Sequence, residues 1–449
     1  MIRRDFIKNT GLAAAGIGLS GLTMPTVLAG QPNRKVVVAV VGVNSRGNGM
    51  ARNFARQPNC EVAYICDVDE RAIERCINNV GQVQENRPKG EKDFRKVCED
   101  KGVDALVLCM PVHWHAPATI IGCSMGKHIY VEKPISHNPR EGELLVEAAR
   151  KYNRIVQMGV QRRSGSGIQQ MIADIRSGLI GNVYSAKTWY TNNRLPVSLT
   201  PGAAVPSWLD FELWQGPAAR RSYIGGLVHY NWHWTWHWGA GEALNNGTHE
   251  VDVARWGLGV EFPTKVASIG GRFGITDDSW ETPDIQTISM EFPEKKTILW
   301  ESRSRNNYRV EGADRGVIFY GTEGTIVNPG GNSYQVYRVN HSNNRRQELI
   351  KENIDGTDVA DTTNPVSGSG ESLDQMHIAN FLDCIRENKT PNAEAEIGYR
   401  STLLVQLGNI SYRSGQTLNI NPTNGHILNP GLQQQYWSRE YANGWEPRV

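Results

Sequence analysis

Two folded units in series are predicted by this sequence: an α/β unit with a doubly wound parallel sheet, then an α+β unit with a large, mainly antiparallel open sheet. Three observations predict them. The run from Lys35 to Gly42, KVVVAVVG, is β-branched and apolar without alternation, as a parallel strand covered on both faces must be. Strand-like and helix-like patterns then alternate to about residue 158, which right-handed crossovers turn into a parallel sheet with helices on both faces. Beyond about residue 180 the runs 183–190, 264–273, 287–292, 297–302 and 316–320 alternate polar with apolar residues, the pattern of an antiparallel sheet covered on one face.

Within the first unit, Gly42 ends the first strand, and a helical pattern follows through Met50, Ala51, Phe54 and Ala55. A second strand over 61–66 stops at Asp67, and 104–110 and 128–131 repeat the strand character. The 449 residues are 39% hydrophobic and 21% charged, a composition that supports buried cores. The formal net charge of +2 provides no basic field for a nucleic-acid backbone, so nucleic acid is excluded as a partner. No apolar run outside the N-terminal start approaches the roughly 20 residues that span a bilayer, so no membrane insertion of the mature chain is expected.

That start, MIRRDFIKNTGLAAAGIGLSGLTMPTVLAG, sets Arg3-Arg4 before Asp5-Phe6-Ile7-Lys8 and a Gly/Ala-rich stretch from Gly11 to Leu28. It resembles a twin-arginine signal, with cleavage after Ala29, and predicts periplasmic or other export of a chain already folded around its cofactor. The expected divisions are 1–29 signal, 35–160 nucleotide domain and 161–449 substrate and oligomerisation domain, with the final helices from about 372 packing back near the nucleotide domain. The stretch from Gly356 to Gly370 reads as a loop. Seven cysteines show no CxxC pair and no Cys/His ligand spacing, so neither a zinc site nor a disulfide framework is expected.

Gly42-Val43-Asn44-Ser45-Arg46-Gly47 departs from Gly-x-Gly-x-x-Gly by Asn44 at the second glycine, a residue that tolerates left-handed backbone. Gly42 and Gly47 still permit a tight turn onto a helix N-terminus, where a pyrophosphate can sit. Asp67 can accept from ribose hydroxyls and repel an additional phosphate, so the cofactor reading is NAD rather than NADP; its other reading is a cap for the helix from Glu70.

Further on, GKHIYVEKP brings Glu132-Lys133-Pro134 to a strand end, and Met110-Pro111-Val112-His113-Trp114-His115 has the form T-P-x-x-x-H with Met for Thr. A helix with Glu141, Leu144 and Ala148 then leads to IVQMGVQRR, and 381–415 supplies closing helices. In these segments the chain resembles the Gfo/Idh/MocA family, relatives of glucose-fructose oxidoreductase and inositol dehydrogenase. The resemblance implies a cleft between the two domains, Lys133 as a catalytic residue, and Pro111, His115, Glu132 and Gln161 at the cofactor beside Asn44, Ser45 and Arg46. An ammonium at Lys133 can stabilise alkoxide charge and relay a proton; the plain alternative is a solvated strand-end lysine. Glu132 either orients Lys133 or contacts the ribose.

Asn245-Asn246-Gly247-Thr248-His249 matches the Asp-x-x-x-His of inositol dehydrogenase-like members, with Asn245 in place of Asp. Spacing of four puts both side chains on one helix face. His249 is the candidate general acid/base, or else a buried structural histidine, and Asn245 can only hydrogen bond. In YNWHWTWHWGAG the indoles of Trp232, Trp234, Trp236 and Trp238 alternate with His233, Thr235 and His237, so an extended chain would put all four on one face. His233, Trp234 and Trp236 are candidate sugar contacts. With no confirming acid or thiol at ligand spacing, no metal is expected.

The resemblance thus implies an exported enzyme that oxidises a ring hydroxyl of a carbohydrate to a ketone using tightly held NAD, as a homodimer or homotetramer paired through the open sheet face. The alternatives are a redox-neutral glycoside hydrolase acting by oxidation, elimination, hydration and reduction, and a non-catalytic cofactor-binding protein.

Overall fold

The computed structural model describes residues 33–340, 348–354 and 373–449. The twin-arginine start and the loop 356–370 lie outside them. β1 (Val36–Val41), β2 (Cys60–Cys66), β3 (Lys89–Glu91), β4 (Ala105–Leu108), β5 (His128–Val131) and β6 (Val156–Met158) form a parallel sheet in the order β3-β2-β1-β4-β5-β6. Between them run α1 (Arg46–Ala55), α2 (Glu70–Val80), α3 (Phe94–Glu99), α4 (Val112–Ser124) and α5 (Pro139–Lys151). The order reverses between β1 and β4, and a crevice opens at their C-terminal ends, where the fold places ligands. β1 is buried over most of its length, which is why its sequence shows no alternation. β3 reads Lys-Gly-Glu and carries no apolar signal, so the sequence pattern predicts no strand there.

The chain continues through α6 (Ser166–Arg176) and β7 (Val183–Asn193), then leaves the sheet for an insertion holding β8 (Thr200–Pro201), α7 (Phe211–Gln215) and β9 (Ile224–Gly225). It returns by α8 (Thr248–Leu258), β10 (Lys265–Gly271), β11 (Ile285–Phe292), β12 (Lys296–Arg303), β13 (Arg305–Asn306), β14 (Arg315–Gly321), β15 (Gly324–Asn328), β16 (Tyr334–Asn340) and β17 (Glu348–Ile354). Last come α9 (Leu373–Glu387), α10 (Ala395–Ser414), β18 (Leu418–Asn419) and α11 (Leu432–Tyr436). The large sheet runs β17-β16-β15-β14-β7-β12-β11-β10-β18. It is mainly antiparallel, as the alternating runs predict, except that β7 and β12 pair parallel. The excursion between them, through the insertion and α8, is long enough for a crossover connection.

α8 and α10 cover the inner face of this sheet, over Ile288, Ile298, Trp300 and Phe319. The helices approach closely at glycines: a Cβ on Gly257 would strike the Phe319 ring and one on Gly408 would strike the Ile288 side chain. Tertiary links join the units at several places. Ile378, Phe381, Leu382 and Ile385 of α9 pack into the same core as β1 and α1. In the insertion, Leu209 bridges antiparallel to Asp69, and the Asp210 N–H donates to the Val68 carbonyl at 3.1 Å. All seven cysteines are free. Among the described residues no helix is long and apolar enough to cross a membrane, and no group of three or more His, Cys, Asp or Glu side chains is placed to hold a metal ion.

Because Ile288 has no room to withdraw, Gly408→Val is expected to destabilise the protein by about 1–3 kcal/mol through overpacking. Gly331→Ala, where an added Cβ meets nothing within 4 Å, is expected to leave the melting temperature unchanged. Thermal unfolding of both variants checks the contrast.

Candidate functional site

The turn after β1 is dictated by space. Gly42 has φ +82°, and a Cβ there would lie 2.5 Å from the Met110 amide nitrogen. Gly47 lies behind the turn, where a Cβ would strike the Gly42 carbonyl. Only glycine lets the backbone pass this close in that conformation. Asn44 is not among the residues with positive φ, so the left-handed backbone that asparagine tolerates is not used there. Gly42 alone adopts that backbone, while the Asn44 carbonyl and side chain accept from Arg75 at 2.9 Å. α1 starts at Arg46 with no side-chain cap and no acidic residue in its first turn, so its N-terminal N–H groups are free of an internal anion.

Asp67 is not the cap of α2; Asp69 is, accepting from the Arg71 N–H at 2.9 Å. Asp67 instead spans the turn, accepting from the Val43 N–H at 2.6 Å and the Asp69 N–H at 3.0 Å. Burial pushes its carboxyl above its ordinary value, opposed by those two bonds. Arg46 points away from the mouth of the turn: it donates to Glu132 at 2.9 Å and to both oxygens of Asp374 at 2.7 Å. Glu132, on the cavity lining, links β5 to α9 through Arg46.

Gly42, Asn44, Ser45, Arg46 and Asp67 line one end of a cavity of about 670 Å³ between the two units. Pro111, His115, Glu132, Lys133 and Gln161 line its middle, and His233, Asn245 and His249 its far wall. His115 is wedged between the Pro134 and Met110 carbonyls, 2.7 Å from each. The Gln161 Oε1 is buried without a partner, an acceptor that a polar ligand can satisfy. Glycines that permit close approach, an uncapped helix start, a strand-end carboxylate and this orphan acceptor together fit a dinucleotide lying across the sheet ends.

At the far wall the helix is irregular. Residues 243–247 form a π-helical segment that runs into α8, with Gly247 pressed on the Trp300 indole. The wide turn keeps Asn245 and His249 on the same cavity, although the segment is not the regular α-helix that spacing of four assumes. Lys133 Nζ donates to the Asn245 carbonyl and to its Oδ1, at 3.2 Å for the latter. Burial lowers the Lys133 ammonium to about 8, partly opposed by Glu132. His249 is buried with no partner on Nδ1, and burial together with Lys133 and Arg315 holds it well below the ordinary histidine value. It is a neutral imidazole at neutral pH.

The alternating tryptophans do not share a face. Residues 231–234 coil into one 3-10 turn, which breaks the period of two and sends each indole to its own surroundings. Trp234 is buried, stacked on Trp280 at 3.9 Å and lying 4.6 Å beneath the Arg194 guanidinium. Trp236 faces a different cavity. Of the tryptophans and histidines of the run, Trp232 and His233, stacked on each other at 3.6 Å, border the cleft.

The cleft lining includes residues that carry no site signal in the sequence. Tyr190, Asn192 and Arg194 line the cavity at spacing two, the one-face signature of β7 continued past Tyr190, where the alternating run 183–190 ends. A further such residue lies behind the cavity lining. Glu242, three residues before Asn245, is buried and accepts from Arg194 at 2.6 and 3.1 Å, from Asn245 Nδ2 at 3.4 Å and from Asn246. Burial pushes its carboxyl up, but Arg194, Asn246 and Lys133 bring it below its ordinary value. A carboxylate thus stands behind Asn245, reaching Lys133 through the amide. Deeper still, Arg163 holds Asp252 at 2.8 Å, and Ser401 donates to the same carboxylate at 2.6 Å.

Comparison with known proteins agrees with this architecture. Residues 36–160 match the oxidoreductase family, NAD-binding Rossmann fold, and residues 173–420 its C-terminal alpha/beta domain, both of the Gfo/Idh/MocA group. A glycosyl hydrolase family 109 protein of Shewanella pealeana is 27% identical over 207 residues, 42% of this chain and 45% of that protein. The alpha-N-acetylgalactosaminidase of Shewanella oneidensis is 24% identical over 210 residues, with the same shares. The chain therefore spans about half the length of the curated relatives it matches. The structure of levoglucosan dehydrogenase with NADH and levoglucosan has TM-score 0.64 at 17% identity, covering 86% of this chain and 99% of that one. Aldose-aldose oxidoreductase from Caulobacter crescentus has TM-score 0.65 at 16% identity, covering 86% and 100%. These structures share the fold, and the two family matches together take in most of the sequence: the chain belongs to the Gfo/Idh/MocA family of oxidoreductases.

Proposed function

We propose that the protein oxidises a ring hydroxyl of a sugar or glycoside to a ketone. The observation that carries this reading is the convergence of Lys133, Asn245 and His249 on the same cavity as the Gly42 turn and Asp67. Gly42, the first turn of α1, Asp67 and Gln161 would hold NAD, which when bound supplies the hydride acceptor. The neutral His249 imidazole takes the hydroxyl proton. The Lys133 ammonium, held by the Asn245 carbonyl and amide, donates to the same oxygen and offsets charge developing there. Glu242 keeps Lys133 protonated from behind Asn245, and Arg194 and Tyr190 offer hydrogen bonds to neighbouring hydroxyls. Asp67, at the end of β2, would disfavour a 2′-phosphate on the ribose.

The glycosyl hydrolase family 109 name of the relatives supports a second reading, in which the same oxidation opens a cycle of elimination, hydration and reduction and the net reaction is hydrolysis. Mass spectrometry of products from a panel of glycosides separates the two. Loss of two hydrogens from an intact glycoside supports the first, and free sugar plus aglycone without a keto product supports the second. The twin arginine supports export of the folded chain, and the exposed Ile269 on the large sheet supports pairing of subunits there.

Four outcomes are expected. Lys133→Met abolishes turnover while the cofactor stays bound, and kcat/KM of the wild type falls as pH rises through about 8, where Lys133 loses its proton. The acid limb, set by His249, lies below the ordinary histidine range. Asp67→Ser weakens NAD at least about tenfold, a loss of about 1.4 kcal/mol, and narrows its advantage over NADP in equilibrium titrations. Replacing Arg3 and Arg4 by Lys leaves the protein in the cytoplasm on fractionation.

A further inference from the structure

Trp236 and His237, the end of the tryptophan run that does not reach the cleft, border a second cavity of about 430 Å³. Ala240 and Leu244 line both cavities, so this one lies behind the wall that carries Asn245. Its chemistry differs from that of the cleft. Arg221 and Arg413 line it, and among the described residues neither pairs with a carboxylate, whereas Arg439 beside them is committed to Glu141 at 2.7 Å. Glu440 is the carboxylate on its lining, and it makes no ion pair among the described residues. The Arg413 guanidinium lies 5.0 Å from the Trp236 ring and 5.2 Å from Tyr436, and Arg221 lies 6.0 Å from Trp238. The positive charge thus sits on an aromatic wall.

His237 and Gln406 add no charge to this lining. Burial lowers His237 to about 4, so its imidazole is neutral at physiological pH, with Nε2 engaged by the Ala219 carbonyl at 2.7 Å. The Gln406 side chain, on the same lining, donates to Ser136 but leaves Oε1 buried without a partner. Guanidinium groups with no carboxylate partner among the described residues, an aromatic wall and an unused amide acceptor are the complement of a molecule with an acid group, an apolar ring face and hydroxyls.

We propose that this cavity is a second carbohydrate site, specific for an acidic sugar, with the acid group on Arg221 and Arg413 and the ring against the Trp236 and Tyr436 wall. It goes beyond the oxidation assigned to the cleft and does not depend on it.

Calorimetric titration of the whole protein with sodium glucuronate, glucose and inorganic sulfate tests it. The expected result is saturable one-to-one binding of glucuronate, with glucose and sulfate each at least about tenfold weaker. Arg221→Ala with Arg413→Ala is expected to weaken glucuronate at least about tenfold, Arg413→Lys to weaken it less, and Lys133→Met to leave it unchanged. Any keto-forming activity on a neutral glycoside is expected to persist in the arginine variants, so the two readings fail separately. Equal binding of glucose or sulfate, full binding by the double variant, or loss of binding in Lys133→Met would each overturn the proposal. Arg413→Lys, which keeps the charge on a similar stem, decides the matter if the double variant does not fold.

Discussion

A lysine ammonium drawn into a cleft between two domains needs hydrogen-bond acceptors, and much of this protein's site follows from how Lys133 finds them. Its strand, β5, ends on the nucleotide side, and its acceptors, the carbonyl and amide oxygens of Asn245, belong to the other domain. The bond therefore joins the two halves at the point where chemistry is proposed. The π-helical segment presents the Asn245 carbonyl without removing its side chain from the same cavity. A regular α-helix would commit that carbonyl to the amide four residues on. The wide turn is thus tied to how a cation from one domain is held by backbone from the other.

Behind this contact the charges are layered. Arg194 and Lys133 face the cleft with Glu242 between them, and beneath lie Arg162 and Arg315, both paired with the fully buried Glu250. Burying so many ions is costly for stability, and each is held only because its partners are fixed. The result is a field that keeps His249 neutral while Lys133 keeps its proton up to about pH 8. Proton acceptor and proton donor share one cavity because burial lowers both groups and the carboxylates act on the lysine.

The sequence made legible what depends on backbone and on local spacing: the apolar parallel strands, the turn at Gly42, Asp67 after β2, Lys133 at a strand end, and Asn245 with His249. It concealed what depends on tertiary partners. Nothing around Arg46 announces that its guanidinium will turn to Asp374, which lies 328 positions away. Glu242 reads as an ordinary helical acid until Arg194 arrives from β7. The tryptophan run misled for a physical reason: period two argues for an extended strand only where a sheet holds it extended, and here a single 3-10 turn disperses the indoles. Asn192 and Arg194 do carry the correct period, two and four residues beyond the end of the run 183–190.

The contribution of α9 to the first core bears on synthesis. Ile378, Phe381, Leu382 and Ile385 close one side of the β1 sheet, although the last strand of that sheet ends at Met158. During translation the six strands emerge more than two hundred residues ahead of the helix that covers them. A ribosome-bound chain halted after Met158 would display the apolar backs of β1 and α1 to solvent, in need of a chaperone or of time. Completion of the nucleotide unit is thereby postponed until nearly the whole polypeptide has been made.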